Sequence, residues 1–101
     1  ETMLTVTAQG PFQGLVVQEV TPELAARWGL ARGMQEGGVM IVGLGDGDQS
    51  RHFQPGDIFS EINGMPIRSL QDFRIATEVE TRTWRVRIDR RGGRVFLTWR
   101  G

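Results

Sequence analysis

The stretch Gln54-Pro55-Gly56-Asp57-Ile58-Phe59-Ser60-Glu61-Ile62-Asn63-Gly64-Met65-Pro66-Ile67 reads turn, strand, turn, strand within fourteen residues. Pro55-Gly56 punctuates the chain, because proline fixes φ and glycine permits positive φ. Ile58 and Ile62 stand an even number of positions apart, so on a strand they share a face. Asn63-Gly64 signals a tight turn, since both residues tolerate the left-handed region.

Downstream, Ser69 is placed to cap a helix running to about Val79, with Leu70, Phe73 and Ala76/Thr77 on one side. Trp84, Val86 and Ile88 alternate with Arg85, Arg87 and Asp89, the pattern of a half-buried strand. Arg91-Gly92-Gly93-Arg94 reads as a hairpin turn, and Val95, Leu97 and Trp99 alternate again. This strand phase predicts that Trp84 and Trp99 are buried.

Upstream, Met3–Thr7 reads as a strand broken at Gly10-Pro11, and Leu15–Val20 as a β-branched second strand. Thr21-Pro22-Glu23 opens a helix: Thr as N-cap, Pro at the first position, an acid in the first turn. That helix, Pro22–Trp28, places Leu24 and Trp28 on one face, and Gly29 suits the position that ends it. Residues 31–38 read as a loop. Val39-Met40-Ile41-Val42 is an apolar run of strand length, expected to be buried on both faces. Residues 43–54 read as a loop with a helical turn near 49–53 capped by Asp46. The sum is six strands and two helices in an α+β fold, a partly open antiparallel barrel or sandwich.

At 101 residues the chain holds one domain and one modest core. Its 39% hydrophobic and 24% charged content belongs to a globule, not to a disordered segment. No apolar run reaches the length of a membrane span. The chain opens at Glu1 rather than Met, so it is expected to be a piece of a longer protein. Net charge is zero but unevenly spread: residues 1–67 hold three Arg against eight acids, residues 68–101 nine Arg against four. All twelve basic residues are Arg, which codon bias explains for composition, while the C-terminal excess leaves a basic face for anionic partners.

Chemistry finds little purchase. There is no cysteine and no G-x-S-x-G, and His52, Ser50, Asp46 and Asp48 share a loop without the held geometry of a triad. Asp46-Gly47-Asp48-Gln49-Ser50 begins like a calcium loop, but Arg51 stands where the turn needs Gly. One His and no Cys exclude an ordinary zinc site. Gly43-Leu44-Gly45-Asp46-Gly47-Asp48 lacks the third glycine of a dinucleotide loop. Arg85, Arg87, Arg90, Arg91 and Arg94, with Trp84 and Phe96 nearby, read as a solvated face, since a stacking platform for nucleic acid needs exposed aromatics and alternation sends Trp84 inward. No catalytic residue, metal, cofactor or nucleic-acid partner is expected.

The order of landmarks resembles PDZ domains, in the circularly permuted bacterial form found in HtrA/DegP-type serine proteases. The Gly56-Asp57-x-x-x-x-Ile62-Asn63-Gly64 segment is similar to the PDZ signature GD-x-I-x-x-I-N-G. Phe12-Gln13-Gly14-Leu15 is similar to the loop that precedes the peptide-pairing strand. Thr21-Pro22-Glu23-Leu24-Ala25, Gly38-Val39, Ser69 with its helix and Arg90-Arg91-Gly92-Gly93 follow in the same order. The likeness covers nearly the whole chain and is nearest to the second PDZ domain of Deg-family proteases.

That resemblance implies a non-catalytic module that takes hydrophobic or C-terminal peptide segments, or unfolded protein, by β-strand addition. The loop Phe12, Gln13, Gly14 and Leu15 would receive a terminal carboxylate. Leu15, Val16 and Val17 would pair with the peptide, and Leu70, Arg74 and Thr77 would form the opposite wall, with Phe73 and Ala76 turned to the core. Leu15→Glu or Gly14→Val is then expected to abolish binding without unfolding the domain. The resemblance further implies a serine-protease domain in the same parent chain, homo-oligomer contacts in the full-length protein, and a periplasmic or envelope location with a membrane anchor on the parent. Two features depart from the pattern: Gln13 stands at a usually apolar place, and Arg51-His52-Phe53 replaces Ala-Gly-Leu. Gln13 favours an alternative in which the groove is degenerate and the domain serves assembly. A scaffold or secretion component without protease is a further alternative.

Overall fold

The computed structural model describes residues 3–7, 12–29, 38–45, 52–79, 81–90 and 93–100, Trp99 by its backbone alone. The chain runs β1 (Met3–Thr5), β2 (Val16–Glu19), α1 (Pro22–Trp28), β3 (Val39–Gly43), β4 (Ile58–Ile62), β5 (Met65–Pro66), α2 (Leu70–Thr77), β6 (Thr83–Arg90) and β7 (Gly93–Arg100). Every strand pair is antiparallel. The strands form one open sheet in the order β1-β2-β3-β4-β6-β7, with β5 paired to β4 off that path. The count is seven strands rather than six once the short strand read after the Asn63-Gly64 turn, Met65-Pro66, is included; it pairs back onto Glu61-Ile62. The sheet is open, with β1 and β7 as its two end strands.

Both helices begin as their sequences dictate. Thr21 Oγ1 accepts from the Leu24 N–H at 3.1 Å, and Gly29 closes α1 with φ 64°. Ser69 Oγ accepts from the Asp72 N–H at 3.2 Å, and α2 stops at Thr77, short of Val79. The expected loop over 31–38, the helical turn near 49–53 and the hairpin tip at Arg91-Gly92 lie wholly or largely outside the described residues.

The sheet has two apolar faces. Phe12, Leu15, Val17, Val39, Ile41, Phe53, Phe59, Ile62, Phe73, Trp84, Val86 and Ile88 build the larger core. Val20, Leu24, Ala25, Met40 and Ile58 form a second cluster where α1 packs. β3 therefore is buried on both sides, as its continuous apolar run implies. β4 departs from even-spacing logic: Ile58 belongs to the second cluster and Ile62 to the first. The cause is a bulge. The β4–β6 register shifts between Phe59 and Glu61, so Ser60 is an extra residue and the side chains beyond it change face. Ser60 is well satisfied there: its hydroxyl donates to Arg87 O at 3.0 Å and accepts from Arg87 Nε at 3.1 Å.

The turns that flank β4 are fixed by side chains. Asp57 N–H donates to Gln54 O, and Asp57 Oδ2 accepts from Gln54 N–H at 2.8 Å, closing the Pro55-Gly56 turn. Asn63, at φ 49°, exchanges two hydrogen bonds with the Arg85 backbone, each 2.7 Å.

Candidate peptide-binding groove

Four of the residues assigned to the groove by resemblance lie in one loop. Phe12–Gly14 form a turn leading into β2, and Gly14 has φ 93°, a conformation that a Cβ would strain. Gly45 approaches it so closely that a Cβ there would lie 2.6 Å from Gly14 O. The Phe12 side chain turns into the core. Its ring is 3% exposed and touches Phe53, Phe59, Phe73 and Trp84, the last edge-on at a centroid distance of 5.0 Å. Leu15 and Val17 are fully buried, Val16 is half-buried, and Gln13 is exposed.

Burial changes what substitutions here would report. Leu15→Glu would put a charge into the core, and Gly14→Val would meet a positive φ. Both variants are expected to damage the fold, so neither isolates peptide binding.

Two of the loop's backbone donors are already engaged. The Gly14 N–H donates to Val6 O at 2.9 Å, and the Leu15 N–H to Phe12 O at 3.1 Å. The Val6 N–H returns a bond to Leu15 O at 2.8 Å. These bonds continue the β1–β2 ladder, in which Met3 faces Gln18, Leu4 faces Val17 and Thr5 faces Val16. On its other side β2 pairs with β3. Both edges of β2 are therefore filled, and the outer one is filled by the chain's own N-terminal strand.

The opposite wall is α2. Phe73 and Ala76 are buried, whereas Leu70 is half-buried and Arg74 exposed, with its Nε 3.6 Å from Glu78. Thr77 Oγ1 donates to Phe73 O at 2.8 Å. Glu19, at the end of β2, accepts from the Leu70 N–H at 2.9 Å and ties the strand to the helix start. Met3 and Leu4 of β1 line a cleft of about 620 Å³ with Leu70, Gln71, Arg74, Ile75 and Glu78. Leu70 and Arg74 thus share this cleft, and Thr77 is not among its lining residues. Met3 and Ile75 are each about half exposed at its mouth.

The signature aspartate has a structural role that its local sequence does not reveal. Asp57 is 1% exposed, and Arg90 donates to both of its oxygens, from Nε at 2.9 Å and from Nη2 at 2.8 Å. Arg90 Nη2 also donates to His52 O at 3.0 Å. Its hydrogen bonds to Asp57 raise the Arg90 guanidinium above its ordinary range against the opposing effect of burial, and the carboxylate charge adds to the rise. Among the described non-glycine residues Asn63 alone has positive φ, so His52, which stands where the family pattern has Gly, is not left-handed.

Among the described residues no three His, Cys, Asp or Glu side chains gather as a metal site would require. No helix among them is long and apolar enough to cross a membrane. No protein-family model matches the chain, and no curated protein sequence matches it significantly.

Proposed function

We propose that this domain is a non-catalytic, PDZ-type peptide-binding module of an HtrA-like serine protease in the bacterial envelope. It captures hydrophobic or C-terminal segments by strand addition beside β2 and α2 and positions them for a protease domain elsewhere in the parent chain. One observation carries the proposal: the edge of β2 beside α2 already holds a strand, β1, in antiparallel register. A site that seats three residues of its own chain there has the backbone geometry to seat a partner's. Its short length makes β1 the displaceable member of the pair, since few ladder bonds hold it.

The test is an amide-resolved NMR titration with a hydrophobic peptide bearing a free C-terminus, run beside its amidated twin. Shifts at Met3–Val6, Phe12–Val17 and Leu70–Thr77 that vanish on amidation are expected. Silence from both peptides would turn the weight to the second use of the same geometry. There β1 is a permanent part of the sheet, the groove is closed, and the domain serves contacts between subunits. The engaged Gly14 and Leu15 amides favour that second use.

A further inference from the structure

β7 ends the sheet at the edge opposite β1, and its outward face carries a pattern that the groove does not use. In the β6–β7 ladder Arg87 faces Phe96, Arg85 faces Thr98 and Asp89 faces Arg94. Directly opposed residues share a face, so Phe96 stands among arginines. Val95 and Leu97 turn to the core, and Phe96 is 70% exposed. Arg87 is held by Ser60 and by Glu61. The side chains of Arg85, Arg94 and Arg100 have no hydrogen-bond or ion-pair partner among the described residues.

Charges on an edge strand discourage stray pairing, which accounts for the arginines. It does not account for an exposed phenyl ring at their centre. β7 is also eight residues long and paired on one side only among the described residues.

We propose that the free edge of β7 is a second docking surface, which takes an extended acidic peptide segment by strand addition. An added strand lays alternate side chains beside Arg94, Phe96, Thr98 and Arg100. The fitting partner therefore carries carboxylates at the two ends of one face and an apolar residue between them. A second copy of β7 fits poorly, because basic face would meet basic face. Single-stranded nucleic acid fits less well too: it would use the arginines but not the row of backbone N–H and C=O groups, and a lone ring is a poor stacking track.

The probe is a fluorescein-labelled peptide, Glu-Val-Thr-Val-Leu-Thr-Glu, amidated at its C-terminus so that no terminal carboxylate can enter the groove beside β2. Its control has Lys for both Glu. The intact domain is expected to bind the acidic peptide about tenfold or more tightly than the control, with amide shifts along β7 and none at Phe12–Val17. Phe96→Thr, an exposed and strand-compatible change, should weaken binding with unchanged circular dichroism. The double variant Arg94→Glu, Arg100→Glu should reverse the preference towards the Lys peptide. Equal binding of the two peptides, shifts confined to β1 and α2, or indifference to Phe96→Thr would overturn the proposal. So would a labelled oligo-dT that binds through Arg94 and Phe96 when the acidic peptide does not.

Discussion

Arg90 grips the buried carboxylate of Asp57 through both oxygens, although 33 positions separate them in the chain. The pair joins the Pro55-Gly56 turn to the far end of β6 and so fixes where β4 enters the sheet. Removing Arg90 leaves an uncompensated buried charge. Arg90→Met is expected to cost about 3–5 kcal/mol, read from urea denaturation. A loss under about 1 kcal/mol would mean that the carboxylate is solvated after all. Because Arg90 is raised in the folded state, its own contribution is complete below the unfolded-state arginine value and declines only as pH climbs through the folded value. Titration of Arg90 therefore adds no slope to stability near neutrality.

Asn63 is the one described residue with a side chain in the left-handed region, and it also accepts from Arg85 N–H. Asn63→Gly keeps the backbone free of strain and loses only the side-chain bond, about 1 kcal/mol. Asn63→Ala loses the bond and adds strain, for a total of about 2 kcal/mol or more. Thermal melts of both variants should rank wild type, Gly, Ala. An Ala variant as stable as Gly would count against the turn geometry.

The Phe12 side chain is part of the core. Phe12→Ala should cost about 3–5 kcal/mol and expose Trp84, whose ring it covers. Trp84 is 4% exposed and Trp28 40% exposed. In the wild type, iodide should quench the Trp28 signal and leave Trp84 shielded. In Phe12→Ala a red-shifted, more quenchable emission should appear. Variants with Trp28 and Trp99 replaced by Phe isolate the Trp84 signal.

Leu4 anchors β1 against the main core beside Leu70. Leu4→Asp should detach β1, seen as faster hydrogen exchange of the Val6 and Gly14 amides. If β1 competes with ligand, the same variant should bind a free-carboxylate peptide more tightly than wild type. Faster exchange with weaker binding would instead make β1 a necessary wall of the site.

Local signals carried most of the fold. Both helix starts follow from Thr21 and Ser69, whose caps act within three residues. The alternation from Trp84 to Ile88 set the phase of β6, and the same logic on β7 turned Val95 and Leu97 inward. What escaped is non-local. The bulge at Ser60 exists only in relation to β6, so even spacing put Ile58 and Ile62 together when they lie apart. The Asp57–Arg90 pair spans too much chain for any window to join. Of the candidate site, the loop before β2 that holds Gly14 was legible, as was the helix bearing Leu70 and Arg74; the positive φ of Gly14 was not. That β1 would lie on β2 was not, because strand order is decided by which edges remain open after the rest has packed. Phe96 was within reach: alternation that buries Val95 and Leu97 must turn it outward.

The bulge at Ser60 has an energetic corollary. Because it sends Ile58 and Ile62 into different apolar clusters, truncations at these two positions should be thermodynamically independent and their costs should sum. Phe59 and Ile62 occupy one cluster, so their truncations should interact, each altering the cost of the other. A single strand thus belongs to two mutational neighbourhoods. Deleting Ser60 would remove the bulge yet leave Ile58 and Ile62 three positions apart on opposite faces, so the separation of the two clusters should survive it.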